Sequence, residues 1–477
     1  MDINLIKRQT NSSKFKKLND VLGKADWDRF RAYAKRIRSL AFDETVAYRS
    51  DPDTPNLDPT VIAVLSLHHP FGAAFLPHLR KLSWTTDGSA LSMLPFLSGE
   101  LTELYLEMST QIPSKANEVF KAIVHRTPSL VTFSLEARVR DINIDISLAR
   151  WLETTTKLKD LSFPPYYLTP DLIRALGSLP KLKRIEQNIK FAHTSDSTRL
   201  LQSLPPGTFP SLIQISFNAT LSEARKLLSA SQDVGSRLRQ IDLHACGDLD
   251  SDDVLNFVRC VAENCPLMTN LILDLFERLE TGERFISPLE MTMLESLYPC
   301  KRLQALEIAY PLPFTFQEDD VERMGRAWPQ MFSLDVCPEP DYAYPLSGHM
   351  GNSLSILSVF ARALPKLRAL GLYLNKQEAP PFTGNLYPRD QFKELSELRF
   401  GFSPVPKGQL RQVGFYIASL CKNKPVIDLS LSRYYTGTFP NDYEERERAW
   451  EKVEDMVHFA MEVKLAGLTS LRETGLH

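Results

Sequence analysis

A six-residue pattern recurs along almost the whole chain and limits what the chain can fold into. The pattern is Leu-x-x-Leu-x-Leu, with other large apolar residues as substitutes, and it occurs fourteen times between residues 37 and 431. Its second apolar position is occupied by Leu40, Leu82, Leu104, Phe133, Leu161, Ile185, Ile215, Ile241, Leu271, Leu306, Leu334, Leu370, Leu398 and Leu429. These positions are about 30 residues apart on average, a period typical of repeat proteins. The sequence therefore predicts an array of similar units rather than a set of unrelated compact domains.

The end of each copy alternates as a short, half-buried strand does, and the segments between the copies are patterned as amphipathic helices. Val119, Phe120 and Ile123 recur at helical spacing, and Thr169 before Pro170 has the form of a helix N-terminus. The same patterning predicts further helices over residues 250–265, 287–298 and 407–421. One strand and one helix per unit is the pattern of a leucine-rich repeat.

The predicted fold is therefore an α/β leucine-rich-repeat solenoid. In this horseshoe, parallel strands line the concave face and helices cover the convex face. The competing interpretation is an α/β protein with several buried strands. That fold would show continuous runs of Val and Ile, which this sequence lacks.

The extent of the repeats divides the chain into three segments. We expect residues 1–36 to form an N-terminal tail and helical cap, and residues 37–440 to form a solenoid of about 14 repeats. Residues 441–477 are expected to form a C-terminal capping helix and tail, because Trp450 and Val453 begin one apolar side of a helical pattern. A separate partner-binding helix is the alternative interpretation of this last segment.

Charge and cysteine content argue against several classes of protein. The chain has 56 Lys and Arg residues against 58 Asp and Glu residues, a formal net charge of −2. Binding to nucleic acid requires an excess of cations, so no nucleic-acid partner is expected. Six cysteines are too few for a disulfide scaffold, which favours a reducing compartment, either the cytoplasm or the nucleus. No apolar run approaches the roughly 18 residues that cross a membrane, so no membrane partner is expected.

No motif in the sequence indicates catalysis, a cofactor or a metal site. A phosphate-binding Gly-x-x-x-x-Gly-Lys loop, a Gly-x-Ser-x-Gly turn and a His-Glu-x-x-His pair are all missing. His244, Cys246, Cys260 and Cys265 do not have the paired spacing of a zinc site. Cys260 lies on an apolar helix face, where a cysteine acts as a small hydrophobic residue. The adjacent histidines at 68 and 69 are interpreted as a loop. We therefore expect a protein that is not an enzyme and has no cofactor.

The predicted concave face is strongly acidic. Because side chains alternate along a strand, three positions of each repeat should line this face. Acidic residues occupy twelve of these 42 positions and basic residues occupy three, which gives a formal charge near −9. The acidic residues are Asp43, Glu103, Glu107, Glu136, Asp160, Glu186, Asp242, Asp274, Glu307, Asp335, Glu397 and Asp428. The basic residues are Lys81, Arg184 and Arg399.

Two interpretations of this acidic face remain open. Alternating lines of charge keep a large sheet soluble and pair neighbouring strands, and a basic rim is expected where Arg38, Arg80 and Arg239 follow the first Leu. Alternatively, the acidic face recognises a basic segment of a partner protein by electrostatic attraction. The second interpretation predicts a set of partner-binding residues. They are Glu107, Glu136, Glu186, Asp242, His244, Asp274, Glu307, Asp335, Tyr373 and Arg399.

Two phrases resemble a known family. Residues 238–275 read LRQIDLHACGDLDSDDVLNFVRCVAENCPLMTNLILDL, which is similar to the cysteine-containing leucine-rich repeat. Residues 26–30, Asp-Trp-Asp-Arg-Phe, resemble the segment that opens the repeats of fungal F-box/leucine-rich-repeat proteins. With the repeats, the resemblance covers roughly residues 24–465. In that family, an F-box docks on the Skp-type adaptor of a cullin ubiquitin ligase, and the repeats hold the substrate.

The resemblance implies a non-catalytic interaction scaffold that is similar to the substrate-recognition region of an F-box-type ubiquitin-ligase receptor. The Leu-Pro-x-Glu-like opening of an F-box is not found before Trp27, so the chain is expected to be a member without its F-box. A Skp-type adaptor would be a partner only if an F-box exists. The alternative is a stand-alone leucine-rich-repeat adaptor or regulator with no ubiquitin-ligase connection.

Overall fold

The computed structural model describes most of the chain, in two compact units. The described residues are 24–45, 62, 75–86, 90–108, 116–137, 142–164, 169–187, 207–230, 232–247, 250–276, 287–344, 346, 350–375, 389–406, 408–430, 435 and 437–473. The N-terminal unit contains the described residues up to 187 together with 209–211, and the C-terminal unit contains 207, 208 and the described residues from 212 onward. The predicted tail at 1–23 and the histidines at 68 and 69 lie outside the described residues.

Thirteen of the fourteen sequence copies form a β-strand in the predicted register. In the fourteenth copy the strand begins at Val426, and Ile427 rather than the predicted Leu429 lies opposite Leu398. The strands of the N-terminal unit are β1 (Ser39–Asp43), β2 (Lys81–Thr86), β3 (Glu103–Met108), β4 (Thr132–Ala137), β5 (Asp160–Phe163) and β6 (Arg184–Gln187). Those of the C-terminal unit are β7 (Gln214–Ala219), β8 (Gln240–Ala245), β9 (Asn270–Asp274), β10 (Ala305–Ala309), β11 (Ser333–Val336), β12 (Ala369–Leu372), β13 (Glu397–Arg399) and β14 (Val426–Asp428). Within each unit the strands are parallel and pair in chain order. The α/β leucine-rich-repeat fold is therefore confirmed.

The register of the sheet follows the repeat pattern. Leu82 on β2 pairs with Leu40 on one side and with Leu104 on the other. Equivalent positions of successive repeats therefore form straight rows across the strands. The rows formed by the apolar residues of the repeat pattern point into the core. Leu82 and Leu104 are completely buried.

The helices lie between consecutive strands in the sequence. In the N-terminal unit they are α1 (Lys24–Ala34), α2 (Ala116–Arg126), α3 (Ile142–Thr154) and α4 (Pro170–Gly177), with a 3-10 helix at Leu91–Phe96. In the C-terminal unit they are α5 (Leu221–Ala230), α6 (Gln232–Gly235), α7 (Ser251–Asn264), α8 (Met291–Glu295), α9 (Glu318–Ala327), α10 (Ile356–Ala363), α11 (Leu410–Leu420) and α12 (Tyr443–Glu473). Thr169 caps α4 as predicted, since its hydroxyl accepts a hydrogen bond from the Leu172 amide.

The helix predicted over residues 287–298 is shorter in the structure. Only α8, five residues long, is helical there. Pro288 and Pro299 flank this segment, and proline restricts the residue before it to extended backbone. Met293 and Leu294 still bury their side chains, so the apolar spacing was set by core positions rather than by a long helix.

Helices cover one face of each sheet, and the other face carries the alternating polar positions. On β4, Phe133 contacts Phe120 of α2 and Trp151 of α3, with ring centroids 6.4 and 4.7 Å away. The neighbours of Phe133 in the strand, Thr132 and Ser134, point the other way and are half-buried. We call this second side of each sheet the open face. Burying one aromatic core side chain of this kind stabilises a fold by about 1.5–3 kcal/mol.

The long helix α12 covers the last repeat. Trp450 stacks on Phe400 at 4.6 Å between ring centroids and donates a hydrogen bond to the Ser403 carbonyl. The edge strand β14 has its Ile427 amide bonded to a carboxylate oxygen of Glu454. These contacts supply an acceptor for one amide of an edge strand that would otherwise lack a strand partner.

Candidate partner-binding surface

The open face of the N-terminal unit is organised in three rows across the strands. The middle row holds mostly small side chains, and its members are Ala41, Ser83, Tyr105, Ser134, Ser162 and, at its β6 end, the exposed Glu186. The row nearer the ends of the strands, the exit row, consists of Asp43, Thr85, Glu107 and Glu136. The row nearer the beginnings, the entry row, consists of Lys81, Glu103, Thr132, Asp160 and Arg184. A band of small side chains thus runs between two charged rows.

The exit row carries carboxylates on neighbouring strands. Glu107 and Glu136 are direct cross-strand neighbours. The Thr85 hydroxyl donates a hydrogen bond to Glu107 at 3.2 Å, and Asp43 accepts from the Thr45 amide and hydroxyl at 2.8 and 2.6 Å. Neutral donors orient a carboxylate but leave its charge in place. Asp43 is exposed and Glu107 is half-buried, so both negative charges can be reached from solvent.

In the entry row a cation already lies over an aromatic ring. The Lys81 ammonium is 4.9 Å from the centroid of Tyr105 and 3.6 Å from a carboxylate oxygen of Glu103. The Tyr105 hydroxyl donates to Glu103 at 3.3 Å, and burial together with the Glu103 charge raises the pKa of this tyrosine. Tyr105 and Glu103 therefore form a small site whose chemistry suits an ammonium or guanidinium group.

In the C-terminal unit, the acidic residues of β8 and β9 surround a buried histidine. His244 Nε2 is 3.2 Å from Asp242, and His244 Nδ1 is 3.1 Å from Asp274. All three side chains are buried. Burial by itself lowers the pKa of His244, but the hydrogen bonds to Asp242 and Asp274 outweigh it and raise the pKa to about 9. The imidazole is therefore protonated at neutral pH and partly neutralises both carboxylates.

A second charge cluster spans β11 to β14 around Arg399. The Arg399 guanidinium contacts carboxylate oxygens of Asp335 at 2.7 Å, Glu397 at 2.9 Å and Asp428 at 3.0 Å. Asp335 lies two strands away, and the residue between them in the middle row is Gly371. A Cβ atom on Gly371 would lie 2.5 Å from the Asp335 carboxyl carbon. Glycine is therefore required for the arginine to reach this carboxylate.

The environment of Asp335 opposes its ionisation. Burial raises the pKa of this carboxyl to about 7, against the lowering effect of Arg399, and the neighbouring charges of Glu307 and Glu339 add to the rise. By contrast, the pKa of Asp428 is lowered by hydrogen bonds from Ser430 and Arg399, which overcome the effect of its burial. Arg399 thus contacts several carboxylates at once, and two of them differ in acidity: the pKa of Asp335 is raised and that of Asp428 is lowered.

The ten predicted partner-binding residues all lie on the open faces, and they are divided between the two units. Glu107, Glu136 and Glu186 belong to the N-terminal unit, and the other seven belong to the C-terminal unit. Asp274 does not continue the row of Asp242, because Ile272 is the cross-strand neighbour of Asp242 and Asp274 is that of His244. The predicted acidic stretch over four repeats is thus divided between two rows.

Tyr373 has a contact that sequence reasoning missed. Its hydroxyl is 2.9 Å from the hydroxyl of Tyr342, and its ring is buried. Burial, with the Tyr342 hydrogen bond, raises the pKa of Tyr373. The roles of Gly371, Tyr105 and Lys81 were also missed. Comparing equivalent positions across successive repeats would have revealed the glycine between Asp335 and Arg399.

Five of the six cysteines are core residues. Cys260, Cys265, Cys300, Cys337 and Cys421 are buried, as predicted for Cys260. Burial raises the pKa of the Cys265 and Cys421 thiols to about 12, so they remain protonated. Within the described ranges, no three His, Cys, Asp or Glu side chains are grouped so that they could hold a metal ion. In the same ranges, no helix has the length and apolar content that crossing a bilayer demands.

Comparison with known proteins gives low similarities. No model of a protein family matches this sequence, and no curated protein matches it. Solved structures that match include TLR13 in a TLR13–ssRNA13 complex, at 12% identity and a TM-score of 0.33 over 69% of this chain. The leucine-rich-repeat protein LegL7 from Legionella pneumophila matches at 11% identity and a TM-score of 0.32 over 67% of this chain. A protein from Bacteroides fragilis matches at 14% identity and a TM-score of 0.27 over 50%.

These matches also differ in how much of the other chain they cover. This chain spans 46% of the length of the TLR13 chain, 89% of LegL7 and 63% of the Bacteroides fragilis protein.

Proposed function

We propose that this chain is a non-catalytic protein-interaction scaffold that binds a basic segment of a partner protein on the open face of its N-terminal unit. The observation that carries the proposal is the Lys81 ammonium over the ring of Tyr105 and beside Glu103. This surface already holds a cation by the contacts that a partner's lysine or arginine would use. Lys81 itself is exposed, so the tyrosine ring can exchange one cation for another.

The shape of the rows suits an extended segment. Small side chains at Ser83 and Ser134 leave room for a backbone beside Tyr105, and their hydroxyls can bond to it. On the exit side, Asp43 and Glu107 present negative charges that neutral groups orient. Opposite charges on the partner would increase the rate of encounter and set the register.

The acidic residues of the C-terminal unit are less suited to binding a partner, which favours the N-terminal unit as the binding surface. In the C-terminal unit, Asp242 and Asp274 are buried against a protonated His244, and Asp335 is bonded to Arg399. A partner's cation would have to displace His244 or Arg399 from these carboxylates. Breaking such a buried ion pair is unfavourable, so binding there would be weakened. A cation can bind Asp43 and Glu107 of the N-terminal unit with a smaller free-energy penalty, because these carboxylates are reachable from solvent.

Binding of a fluorescent octalysine peptide tests the proposal, with octaglutamate as the reference peptide. The variant Glu107→Gln/Glu136→Gln should bind octalysine about tenfold more weakly, because two screened charge contacts together contribute about 1.4 kcal/mol. The matched control is Glu118→Gln/Glu153→Gln, which removes the same charge from exposed positions of α2 and α3. Equal affinities for the two variants, at low and high salt, would refute the proposal.

The connection to a ubiquitin ligase is a further part of the proposal, and it rests on the phrase at residues 26–30. In α1, Trp27 is buried and contacts Phe30, which in turn contacts Phe75. These contacts pack the phrase against Phe75, which precedes β2, and they support its assignment as the segment that opens the repeats. Co-purification with a Skp-type adaptor is the test. Capture of the adaptor would support the receptor role, and its failure would favour the stand-alone adaptor or regulator. A cytoplasmic or nuclear location belongs to the same proposal.

A further inference from the structure

A short segment after β14 returns to the middle of the C-terminal unit. Residues 437–443, with Tyr435 before them, lie against residues that are about 100 to 160 positions earlier in the chain. We call Tyr435 and residues 437–443 the clasp. Its contacts fall into a polar anchor, an aromatic cluster and the first turn of α12.

The polar anchor of the clasp is Asp341. One of its carboxylate oxygens accepts hydrogen bonds from the amides of Ala343 at 2.9 Å and Thr438 at 2.8 Å. The Thr438 carbonyl accepts in return from the Tyr342 amide at 3.1 Å. Gly437 lies so close that an added Cβ would be 2.8 Å from the Asp341 carboxyl carbon. The segment is thus bonded through its backbone to the loop after β11.

The aromatic cluster extends the clasp in both directions. The Tyr435 ring is 5.4 Å from Phe276, which follows β9, and 4.9 Å from Phe402, which follows β13. Phe439 and Tyr443 each lie within 5.6 Å of the same Phe402 ring. Edge-to-face contacts of this type contribute about 0.5–1.5 kcal/mol beyond the area that they bury.

The first turn of α12 is fixed to the same loop. Arg446 donates hydrogen bonds to the Tyr342 hydroxyl and to the Phe402 carbonyl, and its guanidinium lies 5.1 Å from the centroid of the Tyr342 ring. The Tyr342 hydroxyl is in turn bonded to that of Tyr373 on the open face. The terminal helix is therefore held by residues that precede it by about one hundred positions.

From these contacts we infer that the clasp makes the C-terminal unit open as one block. In a simple repeat array each repeat contacts only its neighbours, and the last repeats fray first. Here the last helix cannot leave without breaking hydrogen bonds to Tyr342 after β11 and Phe402 after β13, and the clasp before it also contacts Phe276 after β9. The terminal repeats should therefore be as well protected as the middle of the unit.

Hydrogen exchange of the full chain, followed by mass spectrometry, tests this inference. In the wild type, the slow amides of residues 410–464 should exchange at the same rate as those of 305–336. In Asp341→Ala, which leaves two amides without their acceptor, residues 410–464 and 305–336 should both exchange about 10- to 100-fold faster and by the same factor, because both exchange through an opening that breaks the clasp, while β3 and β4 of the N-terminal unit keep the wild-type rate. Faster exchange of 410–464 than of 305–336 in the wild type would overturn the inference.

Three further variants distinguish an effect of the clasp from a general loss of stability. Asp341→Asn keeps an acceptor oxygen and should restore the wild-type pattern. Tyr435→Ala removes the aromatic contact to Phe276 and should reproduce the common acceleration of the two segments. Asp319→Ala, an exposed position on α9, should leave both rates unchanged. An acceleration of 410–464 alone in Asp341→Ala would also contradict the inference.

Discussion

The open faces of the two units carry acidic residues in different environments. In the N-terminal unit, Asp43 and Glu107 are reachable from solvent and accept hydrogen bonds from neutral groups. In the C-terminal unit, Asp242, Asp274 and Asp335 are held by the chain's own His244 and Arg399. The same residue types thus serve internal cohesion in the C-terminal unit and, in our proposal, attraction of a partner in the N-terminal unit. A count of acidic residues does not distinguish these roles, whereas the position of the nearest cation does.

Removing the cation of the C-terminal cluster should have the largest effect. Arg399→Met leaves Asp335 and Asp428 close together without their guanidinium, and should lower the free energy of unfolding by about 3–5 kcal/mol. Urea unfolding followed by circular dichroism measures this change. Arg184→Met is the matched control in the N-terminal unit, where Arg184 pairs with Asp160 at the surface. It should cost less than about 1 kcal/mol. Similar losses for both variants would remove the contrast between the units.

Filling the space between Asp335 and Arg399 should have the next largest effect. In Gly371→Ala the new Cβ would meet the Asp335 carboxyl group at 2.5 Å and force the ion pair apart. We expect a loss of about 1–3 kcal/mol in the same unfolding measurement. Gly99→Ala is the control, because a Cβ there meets nothing within 4 Å. A stable Gly371→Ala variant would show that the bridge across β12 is not needed.

The pH dependence of stability should report His244. Its folded pKa of about 9 exceeds the unfolded value of about 6.5, so the folded state favours the protonated form. The resulting stability is complete below about pH 6.5 and is lost as the pH rises through 9, by up to roughly 3 kcal/mol. Urea midpoints measured at several pH values should therefore fall over this interval. In His244→Asn the fall should be absent, and the same fall in this variant would assign it to another group.

Neutralising the exit row should have the smallest effect on stability. Glu107→Gln keeps an acceptor for the Thr85 hydroxyl and removes one reachable charge, so the free energy of unfolding should change by less than about 0.5 kcal/mol. The same urea experiment measures it. A loss above about 2 kcal/mol would mean that Glu107 is a structural residue of the kind found in the C-terminal unit.

The sequence predicted the fold well because the repeat pattern records burial directly. Thirteen copies of the pattern formed a strand in the predicted register, and their second apolar residues from Leu82 to Leu398 are buried. The prediction of a helix over 287–298 was wrong in its length, because apolar residues at helical spacing can also be core positions of a largely non-helical segment between two prolines. The site was predicted less well, since charge alone does not reveal pairing. The bond between Asp335 and Arg399, 64 residues apart, depends on the absence of a side chain at Gly371.

Cross-linking locates the bound basic segment and tests the central contrast most directly. An octalysine peptide that carries a benzophenone group would be bound, photo-activated and mapped by mass spectrometry. We predict cross-links within residues 81–136 of the N-terminal unit, and their loss in Glu107→Gln/Glu136→Gln. Cross-links concentrated between residues 240 and 428, around His244 and Arg399, would contradict it.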